Sequence, residues 1–272
     1  MPYDLWQAMT PSKETIPTFI SSLVFYSSRY CVLVGAVFAL AAAKVGRPSS
    51  SNKLPVSSKQ IQREIGTSAL TIFIFAVVNA ILIGYGVGKY TLVYDHIETH
   101  GWLWFWFSIP ALFVLHDTIF YWTHRLFHTR FLYRHTHLEH HLSVHATALA
   151  SYRFSPAEAM TEALQVWAIA FMIPVHPWAF LIFQTVATVH IAYAHCGREI
   201  PGASWRSHWL LRWINSSTAH STHHNSPRYN YGLYFLFWDE IAGTINSESK
   251  RTEQYFDSPS RDIERPDFVV AD

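Results

Sequence analysis

The sequence predicts an all-α fold: a multi-pass transmembrane bundle of about four to five membrane-embedded helices carrying a cytosolic, histidine-rich helical cap. Three observations lead there. Apolar runs long enough to cross a bilayer alternate with polar links, charged residues make up only 14% against 16% aromatics, and the 17 histidines gather in short clusters. A solvent that is partly lipid accounts for the first two. The third needs chemistry.

The first apolar run, residues 19 to 43, is interrupted by Arg29 and reads as one tilted or interrupted helix. The stretch GRPSSSNKLPVSSKQIQRE that follows is a polar link, and 69 to 89 is a clean span of about 20 residues. A third span covers 102 to 122. Residues 160 to 194 are apolar but broken by IPVHP at 173 to 177, which fits a hairpin of two short helices or two spans. The whole of 1–272 reads as a single integral membrane domain, with a core region at 105–244 and a peripheral polar tail at 245–272. Its first fifteen residues lack the charged start and short apolar core of a secretory signal.

Lys44, Arg47, Lys53, Lys59 and Arg63 crowd the link between the first two spans, whereas the 89 to 101 link offers Lys89 against Asp95 and Glu98. The positive-inside rule therefore faces the first link to the cytosol, and two more crossings return the chain there as the histidines begin. The net charge of +1 argues against nucleic acid as a partner. Two cysteines, Cys31 and Cys196, supply neither a disulfide framework nor a sulfur-ligated metal site.

Helical spacing converts the histidine pattern into geometry, since residues three and four apart share a face. His116, His124 and His128 are eight and four apart; His137, His140 and His141 repeat i, i+3, i+4; His220, His223 and His224 do so again. Three helical faces with three imidazoles each exceed what one ion coordinates, so two metals sharing the cluster is the economical reading. His195 ends the last apolar run, where a buried ionisable group is expensive. His96, His100, His176 and His208 read as surface or hydrogen-bonding residues, His135 and His145 as supporting or solvent-facing, and His190 as structural. No H-E-x-x-H or G-x-S-x-G motif occurs, which removes the usual zinc-protease and serine-hydrolase arrangements. A redox-capable pair of metals at a membrane surface points to oxygen activation on a lipid. A metal transporter and a zinc-dependent lipid hydrolase are the competing classes.

HDTIFYWTHRLFH, LYRHTHLEHH, HSTHH, NYG and WDEIAGT together resemble the fatty acid hydroxylase and sterol desaturase superfamily of integral membrane di-iron enzymes. The resemblance implies two irons, with zinc as a substitute in purified protein, and dioxygen as co-substrate. It also implies electrons from NAD(P)H through a separate carrier of cytochrome b5 or ferredoxin type. The substrate would be a sterol, fatty acyl or related lipid, in the endoplasmic reticulum membrane of a eukaryote or the cytoplasmic membrane of a bacterium. By position it assigns the metal to His116, His124, His128, His137, His140, His141, His195, His220, His223 and His224. Asp117, Glu139 and Asp239 are expected to orient ring N–H groups. Asn230, Tyr231, Gly232 and Trp238 look like architecture around the third motif. One departure is Ser155, in RFSPAE, where many relatives carry a histidine. Trp104, Phe105, Trp106, Phe120, Tyr121, Trp122 and Trp167 are candidates for a substrate tunnel or for interface anchoring.

Overall fold

The computed structural model describes residues 12–49, 56–200, 208–209 and 211–246. The expected tail after 246 and Lys53 of the first link lie outside the described residues. Four helices are long and apolar enough to cross a membrane: α1 (Thr15–Ala42), α2 (Ser58–Gly84), α3 (Gly101–Phe127) and, after two shorter helices, α6 (Pro177–His195). Between α3 and α6 lie the single-turn α4 (Leu138–His141) and α5 (Pro156–Met172). Among the described residues, helices α7 (Ser217–Asn225) and α8 (Phe237–Ile241) complete the set.

The expected interruption of α1 takes the form of a π-turn at Tyr30–Val34, immediately after Arg29. Such bulges concentrate at functional sites because they re-aim the side chains around them. The polar link also behaves differently from expectation, since α2 starts eleven residues before the predicted span. Ser57 caps it by accepting from the Gln60 N–H at 3.2 Å, and its polar first turns project Gln60, Glu64 and Ser68 beyond the apolar section. The 160 to 194 run divides into two helices, as one of its readings had it. Pro156 and Pro177 each stand at a first helical position, behind the caps Ser155 and His176. A missing N–H costs nothing there, and the ring presets the backbone angle. Ser155, the departure noted above, thus works as a helix cap.

α1 packs along α2, α2 against α5, and α3 against both α5 and α6. One apolar core joins Tyr30, Val34 and Ile72 to Leu149, Tyr152 and Ala192; a second joins Phe105, Leu112 and Phe183 to Leu233 and Tyr234. Strands β1 (Arg47–Pro48) and β2 (Arg198–Glu199) pair antiparallel, tying the end of α1 to the end of α6. The Arg198 guanidinium also donates to the carbonyls of Lys44, Val45 and Gly46, fixing the link that follows α1.

Below α3 and α6, the histidine-bearing segments are held by a buried polar chain. Glu64, fully buried on α2, accepts from Ser143 at 2.8 Å, Thr147 at 2.5 Å and Gln60 at 2.8 Å. Ser143 in turn accepts from Arg153 at 2.7 Å, and Arg153 is paired with Glu139 at 2.8 Å. Buried charges persist where their hydrogen bonds are filled in this way.

Candidate metal centre

Nine of the ten histidines expected as ligands come together in two groups. His124, His128, His137, His141 and His223 form one; His140, His195, His220 and His224 form the other, and within each group the candidate ligand atoms lie within 4.8 Å of one another. The contributions interleave. The end of α3 gives His124, with His128 as its cap, and α7 gives His223 to the first group and His220 and His224 to the second. His137, His140 and His141 sit on a turn and the single turn of α4 rather than on a long helical face. The segment after α3 is all turns up to His137, so the i, i+3, i+4 pattern is satisfied by one turn and one helix cap.

His116 departs from expectation. Eight residues before His124 on α3, about 12 Å along the axis, it belongs to neither group. Its Nδ1 meets the Tyr234 hydroxyl at 2.9 Å, and its buried Nε2 has no partner. A shared helix face is not enough when the partners reach only the helix end.

The rings are fixed from behind. Nδ1 of His124 faces the Tyr231 carbonyl at 2.7 Å, of His140 the Arg153 carbonyl at 3.2 Å, of His195 the Ile191 carbonyl at 2.8 Å, and of His223 the Tyr229 carbonyl at 2.6 Å. Nδ1 of His137 faces Glu158 Oε1 at 2.5 Å. Each carbonyl requires the proton on Nδ1, and an ionised Glu158 does the same for His137, which leaves Nε2 as a bare lone pair when the ring is neutral. Yet Nε2 of His124 stands 2.9 Å from that of His137, and Nε2 of His140 stands 3.2 Å from that of His195. Lone pairs that face each other at such distances are the arrangement a shared cation would satisfy. Two nitrogens each about 2.1 Å from one ion and at right angles around it stand about 3.0 Å apart. The remaining close pairs, 2.9 to 3.2 Å, agree with that spacing. An all-imidazole donor set of this kind fits iron, zinc or copper.

The carboxylates do different work from that expected. Asp117 Oδ1 accepts the backbone N–H groups of Leu233 at 3.0 Å, Tyr234 at 2.6 Å and Phe235 at 3.3 Å. Asp239 accepts those of Tyr231 and Gly232, both at 2.8 Å, and the Thr244 hydroxyl at 2.7 Å. Glu139 pairs with Arg153. None of the three meets a ring nitrogen in the hydrogen bonds of the described residues. Asp117 follows His116 on a helix, so its side chain leaves about 100° around the axis. Both aspartates hold the 231–235 loop, and that loop presents the Tyr231 carbonyl to His124. Asn230, at φ 57°, donates from its amide to the Ala219 carbonyl at 2.9 Å and so joins the loop to α7. A Cβ on Gly232 would come within 2.0 Å of the Phe235 carbonyl oxygen.

Glu158 is the carboxylate that sequence reasoning missed. It is buried, and its Oε2 has no partner. The signal was an acid in the first turn of a largely apolar helix, 21 residues past the ring it holds. His135 is exposed and bonded to the Phe131 carbonyl, and His176 caps α6 while meeting the Asp95 carbonyl at 3.2 Å.

Burial, then neighbouring histidines, pushes His137, His140, His220 and His224 well below the usual imidazole range; His141 falls to about 2, and burial and then His124 lower His223. The sign of the stability effect follows. An unfolded chain protonates these six rings near pH 6.5, while the folded chain keeps them neutral, so their contribution is present above about 6.5 and is lost as pH falls. Each proton difference is worth about 1.4 kcal/mol per pH unit. Thermal midpoints of the metal-free protein should therefore drop steeply from pH 7.5 to 5.5. A flat profile over that range would contradict the burial of the rings.

A cavity of about 940 Å³, counting its open mouth, reaches the rings of His124, His137, His140, His195 and His220. Its lining is otherwise mostly apolar, with Phe75, Phe120, Phe154, Val166, Trp167 and Phe183. Of the aromatic residues considered for a tunnel, Phe120 and Trp167 take part. Trp106 and Trp122 are exposed on the outer face, and Trp104 bonds the Pro174 carbonyl.

Fold and site together define a class: a multi-pass membrane protein in which paired all-histidine groups open onto an apolar cavity. Comparison with known proteins makes it specific. The sequence model described as fatty acid hydroxylase matches residues 109–244, and the chain belongs to that family. Among curated proteins, the lathosterol oxidase of Rattus norvegicus is 30% identical over 193 residues, 70% of this chain and 62% of that one. A Delta(7)-sterol 5(6)-desaturase of Gibberella zeae is 28% identical over 188 residues, 68% of this chain and 56% of that one. The Homo sapiens lathosterol oxidase is 27% identical over 193 residues, again 70% and 62%. The chain thus spans roughly three fifths of the length of these relatives. No solved structure matches.

Proposed function

We propose that this protein is a membrane-bound di-iron oxygenase that hydroxylates or desaturates a lipid, a sterol or an acyl lipid that enters the cavity from the bilayer. The observation that carries the reading is the facing of Nε2 lone pairs at 2.9 to 3.2 Å beside an apolar cavity. His124, His128, His137, His141 and His223 would hold one iron, and His140, His195, His220 and His224 the other. With dioxygen and electrons, iron there supplies the oxidising power to break an unactivated C–H bond, which side chains alone lack.

The chain's own part is positioning. Backbone carbonyls and Glu158 keep the proton on Nδ1 and turn Nε2 inward, which raises ligand basicity and fixes ring orientation. The apolar lining keeps water from the reacting carbon and presents hydrocarbon to the rings. Electrons would come from NAD(P)H through a separate cytochrome b5- or ferredoxin-type carrier docking on the cytosolic face, where the lysine and arginine asymmetry of the links orients the cluster. The membrane would be the endoplasmic reticulum of a eukaryote or the cytoplasmic membrane of a bacterium.

A transporter that only moves ions should place its ligands near the bilayer midplane. Here they collect at the ends of α3 and α6 and on the connecting segments, which favours the enzyme. The test is to incubate iron-loaded protein with a lipid extract, reductant and air, and to read masses. A gain of one oxygen or a loss of two hydrogens that needs both dioxygen and reductant is the expected result. Product formed without either would make it a hydrolase, and bound metal with no product from any lipid would favour transport.

A further inference from the structure

Arg29 stands at the middle of α1, fourteen residues in from Thr15, at a depth where a charge is costly and seldom retained without a task. Its neighbours are neutral. One guanidinium nitrogen donates to Gln184 Oε1 at 2.9 Å and another to the Tyr152 hydroxyl at 3.0 Å, with the rings of Phe25 and Tyr26 each 5.2 Å away. Its Nε is buried and has no hydrogen-bond partner. Among the described residues the ion pairs are His137–Glu158 and Arg153–Glu139, so no carboxylate forms an ion pair with it. Glu162, the other acid on the cavity wall besides Glu158, is bonded to Gln165 at 3.0 Å. Arg29 lines the cavity that reaches the histidines, and the π-turn begins at the next residue.

We propose that Arg29 is a specificity-determining residue: with Gln184 and Tyr152 it seats an acceptor oxygen at the polar end of the lipid, a carboxylate being the best match. The inference rests on the lipid-oxidation reading and names its substrate class. A guanidinium is a planar fork of donors that carboxylates fill bidentately, and carbonyl or hydroxyl oxygens fill it less completely. Gln184 and Thr188, the latter 3.2 Å from the Tyr152 hydroxyl, stand eleven and seven residues before His195 on α6. At 1.5 Å per residue they lie about 16 and about 10 Å along the axis from the histidine level. Phe183, Ala187 and Ile191 line the cavity over that interval. A lipid whose oxygen sits at Arg29 therefore offers the metal groups a carbon remote from its polar end, and the distance between anchor and rings sets which carbon that is.

Three probes of equal chain length separate the possibilities: radiolabelled stearic acid, 1-octadecanol and octadecane, each bound to the full-length protein in detergent. Stearic acid should bind at least about tenfold more tightly than octadecane, as expected of a site built to hydrogen-bond its ligand. The alcohol should fall between, and the margin should collapse in Arg29→Gln and survive in part in Arg29→Lys, with metal content unchanged in both. A margin carried by the alcohol as much as by the acid still supports the anchor, as a neutral oxygen site. Equal binding of octadecane, or a margin that survives Arg29→Gln, overturns it. Should Arg29→Gln lose its metal, the order of the three probes on the parent protein and on Arg29→Lys decides. Because binding needs no turnover, the two readings fail separately. Ordered binding without oxidation of any lipid removes the oxygenase, and oxidation of an extract beside equal binding removes the anchor.

Discussion

His140→Ala should hold about one metal ion per chain where the parent holds two, and its oxygen-dependent turnover should fall to background. His140 is one of four rings in its group, and without it three nitrogens remain, one fewer than a closed four-coordinate site uses. Its Nε2 lies 3.2 Å from that of His195, and its Nδ1 is held by the Arg153 carbonyl, so no other ring is poised to replace it. His223→Ala should behave differently. Its group keeps four rings, so bound metal should fall less while turnover still collapses, because the ring bridges toward His141 at 3.1 Å. Elemental analysis of both variants, beside product formation, separates the two outcomes. Full metal content in His140→Ala would remove it from the ligand set.

Glu158→Gln should lower metal affinity or turnover by roughly 10- to 100-fold, the usual effect of losing a carboxylate that orients a metal-bound histidine. The amide oxygen can still accept from Nδ1 of His137, but it lacks the charge that raises the basicity of the ring. Glu158→Ala removes the acceptor altogether and leaves a buried N–H unmade, at a further cost of about 1 to 3 kcal/mol. The ordering Glu, then Gln, then Ala is the signature of an electrostatic partner. Metal titrations of the three proteins at one pH measure it, and equal affinities for Glu and Gln would reduce Glu158 to packing.

What the sequence discloses is set by the range of the interaction. Spacing rules connect residues within a few turns, so the grouping of His124 with His128 and of His220 with His224 was legible. His116 was drawn in by the same rule and stands apart, because a helical face continues for about 12 Å while the partner segments meet only its end. Partners separated by many residues left no periodic trace. Glu158 reaches His137 across 21 residues and Glu64 reaches Ser143 across 79. The commonest ring acceptors are backbone carbonyls of Tyr231, Arg153, Ile191 and Tyr229, and every residue carries a carbonyl, so no residue type could announce them. Asp117 and Asp239 meet other partners than the ring nitrogens expected of them, since a carboxylate near a histidine motif serves equally well two or three consecutive backbone N–H groups.

The Glu64 network makes the histidine-bearing segment a tenant of the first helical hairpin. The family match begins at residue 109, yet Glu64, forty-five residues earlier, fixes Ser143, and through Ser143 and Arg153 the carbonyl that holds His140. Two portions of the chain are therefore mechanically joined: the membrane hairpin contributes an acid that, besides its bond to Gln60, steadies a segment the hairpin does not contain. Grafting residues 109–244 onto the hairpin of another family member should succeed only where that hairpin offers a carboxylate at the same height.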